Sequence, residues 1–475
     1  MDGAVGSKQP AAGGRRVGLV LAAGMGTRMR SALSKVLHPL LGRVMVDYPV
    51  SAAQEAGLDV VVVVHNQEAA VRAALAPRGV AFARQEAPRG TGDAVRSALA
   101  DLPETGVVVV MAGDAPLFRA ETLRRLLEAH GDKLATVLTA VVAAPGSYGR
   151  LVRGPDGAPK RIVEARECSP EERAITEINT GTYAFDLAWL RGVIETLPVH
   201  GDTGELYLTD VIEAAAAEGR CGVVVHGDVD EVMGVNDRVA LAAARKALQE
   251  RILTAHAYAG VTFEDAARVV VEAGVRLGTD VTVGPDVALR GSTVVASGAQ
   301  IGQGCVITDS VVEEGALLRP YCVLEGARVG AGCTVGPFAR LRPETVLDAG
   351  AQVGNFVELK KARVEAGAKV PHLSYVGDAR VGAGANVGAG TITCNYDGFS
   401  KHHTDIGAGA FIGSNSALVA PVRVGEGAIV GAGSVITQDV PADAIVTARG
   451  ALRVAEGAAA RFRAARKAKK KGGGA

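Results

Sequence analysis

The sequence has 475 residues, with 51 Lys and Arg balanced by 51 Asp and Glu, and only 4% aromatic residues. Zero net charge argues against a nucleic-acid binder that works through a global basic field, and so few rings leave few platforms for stacking bases. The length suits two or three domains, each with its own core.

In chain order, residues 1–16 (MDGAVGSKQPAAGGRR) read as a disordered tail, without the apolar core of a secretory signal. No apolar run nears the ~20 residues that span a bilayer, so no membrane partner is expected. From Val17 short apolar runs alternate with helical stretches. VGLVLAAG, VVVVVHN after Asp59 and VVVVMAGDAPL after Gly106 each read as a buried strand ending in a turn. Unbroken β-branched runs suit a mostly parallel sheet covered on both faces. Ala-rich segments such as Asp93–Leu102 and Ala120–His130 read as the covering helices. This α/β domain spans 17–236. Residues 237–260 have high helix propensity and read as a linker helix.

From 261 to 450 the period changes to six. Val283, Leu289, Val295, Ile301 and Ile307 are evenly spaced, as are Val329, Val335, Leu341, Leu347, Val353 and Leu359, and then Ile406, Ile412, Leu418, Val424, Val430 and Ile436. Neither a helix nor a lone strand has that period; a β-solenoid of hexapeptide repeats does. Glycines would serve its corners, where φ is often positive. The register breaks between Cys394 and Asp405, which reads as an insertion at a corner. Residues 451–475 turn basic and Gly-rich, a mobile end or a local lure for an anionic ligand. The six cysteines show no CxxC spacing and read as small buried residues of a reducing cytoplasm.

Two stretches carry chemistry. Gly24 and Gly26 follow a strand and precede a helical pattern, so backbone N–H groups there can approach phosphate oxygens. Arg28 and Lys35 add positive charge. An ordinary strand-to-helix turn fits the two glycines as well. Asp114 sits at the carboxyl end of the VVVVM strand, where an acidic side chain can hold Mg²⁺ against a triphosphate or simply close a turn. In the solenoid, Arg342, Lys360 and Tyr375 form a candidate anion site among small neutral hexads. His372 is a candidate general base, since imidazole titrates near neutrality. Glu358 is a nearby carboxylate that could orient it. A structural histidine is the competing reading.

LAAGMGTRM with SKVLH, Gln85 with Gly90-Thr91-Gly92, GDAPL, Tyr148-Gly-Arg, Ile162-Val-Glu164, Ile178-Asn-Thr-Gly181 and Gly234-Val-Asn236 resemble, in that order, the sugar-nucleotide pyrophosphorylases. With NFVELKKA, HLSYVGDA and GAGTITCNYDG added, the chain from Val17 to Gly450 resembles the bacterial bifunctional N-acetylglucosamine-1-phosphate uridyltransferase/glucosamine-1-phosphate acetyltransferases. The resemblance implies a Rossmann-like nucleotidyltransferase domain followed by a left-handed parallel β-helix, in a cytoplasmic homotrimer. It implies acetylation of glucosamine 1-phosphate by acetyl-CoA. Uridylyl transfer from UTP to N-acetylglucosamine 1-phosphate follows, giving UDP-N-acetylglucosamine. Leu21, Ala22 and Gly24 would lie against the nucleotide, with Arg28 and Lys35 on its phosphates and Gln85, Gly90 and Thr91 on uracil and ribose. Gly149, Glu164 and Asn179 would hold the sugar, and Asp114 and Asn236 would hold Mg²⁺. In the solenoid His372 would be the base. Arg342, Lys360, Tyr375 and Asn386 would bind the amino sugar phosphate, and Ala389, Asn395, Tyr396, Ser414, Ala432 and Arg449 acetyl-CoA. Departures from the family pattern are Met25, Ala112, and Pro371 directly before the base.

Two other readings stand beside this one. The solenoid could be a non-catalytic oligomerising module on a nucleotidyltransferase with one reaction. It could also carry zinc between subunits through His372, His402 and His403, although adjacent His402 and His403 are poorly spaced for one metal.

Overall fold

The computed structural model describes residues 14–200, 204–450 and 454–472. They form two compact units that divide between Thr254 and Ala255.

The first unit is a twisted sheet with strands in the order Cys221–His226, Ala135–Val141, Glu177–Asp186, Val107–Ala112, Arg16–Leu21, Asp59–Val64 and Ala81–Arg84. Neighbours are parallel except Glu177–Asp186, which runs antiparallel to both of its own. A hairpin, Arg150–Arg153 with Pro159–Val163, hangs from that strand through Ile178 and Arg150. Pleating sends alternate residues to opposite faces. Leu19, Val61, Val63, Val108 and Val110 enter one core, and Val20, Val62, Val64, Val109 and Met111 the other. Both faces are buried, so the strands read as unbroken apolar runs.

The helix expected over Ala120–His130 has those bounds. The one expected over Asp93–Leu102 starts earlier, at Thr91, and ends at Ala98 before a turn of 3₁₀ helix. Its start is set by Gly90 at φ +95°, where a Cβ would overlap the Leu206 carbonyl oxygen. The long helix Arg238–Tyr258 packs Ala244 with Met45, Leu117 and Val235.

The second unit winds as a left-handed parallel β-helix from Thr262 to Val446. Each strand pairs with one a full coil later: Thr282 with Gln300, Val306 with Val323, Lys369 with Asn386. Every aliphatic residue of the six-residue series is buried. The series continues through Val312, Leu318, Leu324, Val364, Val370, Val376, Val381 and Val387, all fully buried. Five-residue steps from Ile307 to Val312, Leu324 to Val329, Leu359 to Val364 and Val376 to Val381 shorten a coil from 18 to 17 residues. Between Cys394 and Thr404 the chain leaves the coil, and Ala379 pairs with Thr404 across 25 residues.

Both tails expected from the sequence lie partly outside the described residues, at 1–13, 451–453 and 473–475. Arg16 already begins the first strand, and Ala458–Gly472, expected to be mobile, is helical. Among the described residues no helix is long and apolar enough to cross a membrane.

Candidate functional site

Each unit holds its own constellation. In the first, the carboxyl ends of the two central parallel strands, Arg16–Leu21 and Val107–Ala112, open into a cavity of about 530 Å³. That is where open α/β sheets place ligands. Leu21, Gly24, Lys35, Gln85, Gly90, Thr91, Asp114, Glu164 and Asn179 all line it. Ala22 does not; its side chain is buried in the core while its N–H donates to the Val63 carbonyl at 2.9 Å. Gly149 lies beneath the cavity wall, its carbonyl accepting from the Asn179 N–H at 2.9 Å.

The lining is locked from behind. Gln85 is buried, and its Nε2 donates to Asp93 Oδ2 at 2.8 Å and to the Gly90 carbonyl at 3.3 Å. Thr91 Oγ1 accepts from the Leu208 N–H at 3.2 Å. Asn179 Nδ2 donates to the Tyr183 hydroxyl at 2.6 Å, and its Oδ1 accepts from Gly181 N–H at 3.0 Å. Burial pushes the Glu164 carboxyl above the ordinary range, against a hydrogen bond from Thr209 Oγ1 at 3.4 Å. Glu205, Tyr183, Leu208 and Thr209 also line the cavity, and no sequence motif had pointed to them. Met25 is half exposed at the rim and Ala112 sits on the wall, so neither departure disrupts it.

The positive groups meet the metal candidates directly. Lys35 Nζ pairs with Asp114 Oδ2 and donates to Asn236 Oδ1 at 3.1 Å, while Arg28 Nη2 reaches the same Asn236 oxygen at 2.9 Å. Gly26, at φ +60°, packs so closely that a Cβ would stand 2.6 Å from Lys35 Cβ. Asn236 is brought in because the Val235 N–H donates to the Asp114 carbonyl at 2.8 Å and the Gly234 N–H to the Tyr148 hydroxyl at 3.2 Å. One carboxylate and one amide oxygen therefore converge on the Lys35 ammonium, and the amide oxygen also accepts from the Arg28 guanidinium. Two oxygens suit Mg²⁺, which keeps several waters and substrate phosphates among its ligands. No group of three or more His, Cys, Asp or Glu converges among the described residues of the single chain.

In the solenoid the coil period stacks the candidates. Asn355 pairs with His372 in adjacent coils, and Arg340, Glu358, Tyr375 and Ile392 succeed one another on the next face. His372 Nδ1 meets Asn355 Oδ1 at 2.6 Å. With that oxygen as acceptor, the proton sits on Nδ1 and Nε2 keeps its lone pair. This corrects the expectation for Glu358. Its Oε1 accepts from Arg342 Nη1 at 3.0 Å, so the carboxylate fixes the guanidinium and Asn355 fixes the imidazole. The signal for Asn355 was its 17-residue spacing from His372, one coil.

Below His372 one edge carries the rest. Gly390 N–H donates to the His372 carbonyl, Asn415 N–H to Ala389, Gly433 N–H to Ser414, and Arg449 Nη1 to Ala432 at 2.9 Å. Asn386 pairs with Lys369, on the strand that delivers His372. Lys360 lies beside Lys401 of the inserted loop, whose amine pulls it below the ordinary lysine range. Tyr375 Oη receives Asn395 Nδ2 at 3.5 Å, and Asn395 also bonds Asp378. Tyr396 stands out on the loop, its hydroxyl on the Gly398 carbonyl at 2.6 Å. Pro371 sits inside the strand Lys369–His372, and Val370 and His372 keep register with Val353 and Asn355 on either side. It does not displace the histidine from the ladder.

Three family models match the chain: a MobA-like NTP transferase domain over 18–179, a GMPPB C-terminal domain over 266–364, and a bacterial transferase hexapeptide model of six repeats over 403–438. Among curated relatives, a protein named "Bifunctional protein GlmU" from Sorangium cellulosum is 47% identical over 94% of this chain and 96% of its own length. Proteins of the same name are 45% identical in Trichlorobacter lovleyi (91% of this chain, 95% of that protein) and 46% in an Anaeromyxobacter strain (94% and 93%).

Proposed function

The chain belongs to the bifunctional GlmU family, and on that premise we propose that it makes UDP-N-acetylglucosamine in two steps, one in each unit. The observation that carries the two-step reading is the His372 edge. A base with a free Nε2, an arginine–lysine–tyrosine cluster on the adjoining face and a continuous column to Arg449 exceed what a scaffold needs. This disfavours a silent solenoid.

In the first step the amine of glucosamine 1-phosphate attacks the thioester carbonyl of acetyl-CoA. His372 Nε2 takes the proton that the amine loses, and the thiolate of CoA leaves. Arg342, Lys360, Tyr375 and Asn386 would bind the sugar phosphate, with Glu358 holding Arg342 in place. Ala389, Asn395, Tyr396, Ser414, Ala432 and Arg449 would bind acetyl-CoA. In the second step the phosphate of N-acetylglucosamine 1-phosphate attacks the α-phosphorus of UTP and pyrophosphate leaves. That reaction needs alignment and charge neutralisation more than a covalent intermediate. Leu21, Gly24, Gln85, Gly90 and Thr91 would position the nucleotide, the Ala22 backbone would approach it, and Gly149, Glu164 and Asn179 the sugar. Arg28 and Lys35 would stabilise the leaving pyrophosphate. Asp114 and Asn236 would hold Mg²⁺, which supplies further positive charge to the phosphates.

We also propose a homotrimer in the cytoplasm. Tyr321, Phe338 and Phe356 stack with centroids 5.2 and 5.3 Å apart along the edge that continues to Leu373, and all four are substantially exposed. Such an apolar ladder beside the candidate base is a surface that another copy of the chain would cover. All six cysteines are free, in keeping with a reducing compartment. The test is separation of function. His372→Ala should lower acetyl transfer by ~10²–10⁴-fold and spare uridylyl transfer, and Asp114→Ala should do the reverse. Loss of both activities in either folded variant would overturn the assignment of one reaction to each unit.

A further inference from the structure

A carboxamide has two ends of opposite sense: its oxygen only accepts hydrogen bonds and its nitrogen only donates them. Which end Gln85 turns to the nucleotide therefore decides what kind of base edge it can hold. Its main chain is fixed by its N–H on the Val64 carbonyl at 2.9 Å, and the residue is buried while lining the cavity. At one end of the amide stand two acceptors, Asp93 Oδ2 at 2.8 Å and the Gly90 carbonyl at 3.3 Å. A carbonyl never donates and an ionised carboxylate only accepts, so both demand the NH₂ group at that end. Both Nε2 hydrogens are thereby used. Oε1 is the end that remains, and among the described residues no group donates to it.

Asp93 is itself held. It lies in the first turn of the helix Thr91–Ala98 and is buried. Arg96, one turn further on, donates Nη2 to its other oxygen, Oδ1, at 2.7 Å. The guanidinium compensates the buried charge and leaves Oδ2 for Gln85. We propose that Asp93 is a positioning residue for base selection. It locks the Gln85 amide with Oε1 toward the ligand, so the site takes a base whose pairing edge offers a ring N–H, as uracil does at N3. It refuses cytosine, whose N3 carries a lone pair. This rests on the uridylyl-transfer reading above. The relay runs from Arg96 through Asp93 to Gln85, and only the glutamine meets the base. An acceptor set against an acceptor leaves both buried groups unpaired, and a site built around such a bond rejects the wrong ligand more strongly than an apolar pocket does. A carboxylate that merely favoured the N-terminus of its helix would treat the two bases alike.

The experiment measures kcat/KM for UTP and for CTP, with N-acetylglucosamine 1-phosphate as the second substrate. It compares the full chain with Asp93→Asn, Asp93→Ala, Gln85→Ala and the double variant Asp93→Asn/Gln85→Ala. Thermal melting and KM for N-acetylglucosamine 1-phosphate serve as controls on folding. Asp93→Asn keeps the size of the side chain and offers an N–H of its own, so the Gln85 amide can turn over and present Nε2 to cytosine N3. The lock predicts that the full chain prefers UTP. It predicts that this preference falls about tenfold or more in Asp93→Asn, with kcat/KM for CTP rising in absolute terms, and falls in Asp93→Ala as well. Adding Asp93→Asn to Gln85→Ala should leave the ratio where Gln85→Ala alone puts it, because Asp93 acts through that amide. A UTP-to-CTP ratio unchanged in both Asp93 variants, with both values lowered by one factor, would overturn the proposal and leave Asp93 an anchor for its helix. So would a full chain that uses CTP as readily as UTP. A folded full chain that transfers no uridylyl group from UTP would instead strike the underlying reading.

Discussion

The Asn355–His372 bond separates two ways of building the acetyl-transfer site. If Asn355 orients the imidazole, Asn355→Ala removes one neutral hydrogen bond, 2.6 Å long, from a base that itself remains. Such a bond has a net worth of about 1 kcal/mol, which is roughly fivefold in rate. The freed ring also samples unproductive rotamers, so kcat should fall about 5–20-fold, far less than for His372→Ala. KM for glucosamine 1-phosphate should stay near its original value, because Asn355 is one coil away from Arg342 and Tyr375 on a different face. Glu358→Gln should behave in the opposite way. Its carboxylate holds Arg342 at 3.0 Å, so the loss should appear as a several-fold rise in that KM with kcat largely kept. The assay is thiol release from acetyl-CoA at varied glucosamine 1-phosphate, with uridylyl transfer as a control on folding. If Glu358→Gln lowers kcat and Asn355→Ala does not, the carboxylate orients the base after all and the structural assignment is refuted.

Three further outcomes follow from the first unit. Burial raises the Glu164 carboxyl above its unfolded value, so ionisation costs stability, and that cost grows as pH rises from the unfolded range through the folded one. Glu164→Gln should therefore raise the melting temperature of this unit at neutral pH, with a smaller gain at pH 4, while KM for N-acetylglucosamine 1-phosphate rises; thermal melts across pH check it. Buried His130, whose Nδ1 meets Thr136 Oγ1 at 3.0 Å, is pushed down to about 4 chiefly by burial. The unfolded chain takes up that proton first, so about 3 kcal/mol should be lost as pH falls from about 6.5 to about 4. His130→Gln should flatten that slope in pH-dependent denaturation. Gly90→Ala combines a strained positive φ with overlap onto the Leu206 carbonyl. It should cost about 1–2 kcal/mol or more and reduce uridylyl transfer, with acetyl transfer intact as the internal control.

Much of this was legible in the residues because burial imposes periodicity. Unbroken valine runs marked strands covered on both faces, and inward aliphatics at a spacing of six marked the coils. The period was followed less well from Ile307 to Val329 and from Leu359 to Ile406. There, five-residue steps at Val312, Val364 and Val381 shift the phase without interrupting the stack. Cavity residues carried on glycine-rich or strand-end motifs were visible in sequence, since close backbone approach demands glycine and ligands gather at strand ends. Thr209 and Glu205 were not, because they reach the cavity from a distant segment with no local signature. Glu358 was paired with the wrong neighbour for a related reason. Closeness in sequence suggested His372, whereas the coil period puts Asn355 one full turn before it. Counting by coils rather than by neighbours would have found that partner.

The central claim is that both units catalyse, and the acetyl half is its most exposed part. Thiol release from acetyl-CoA by the purified protein, with and without glucosamine 1-phosphate, tests it directly. The account predicts release that requires the amino sugar phosphate and is lost with His372→Ala. Folded protein that forms UDP-N-acetylglucosamine from N-acetylglucosamine 1-phosphate and UTP, yet releases no thiol, would contradict it and make the solenoid a scaffold.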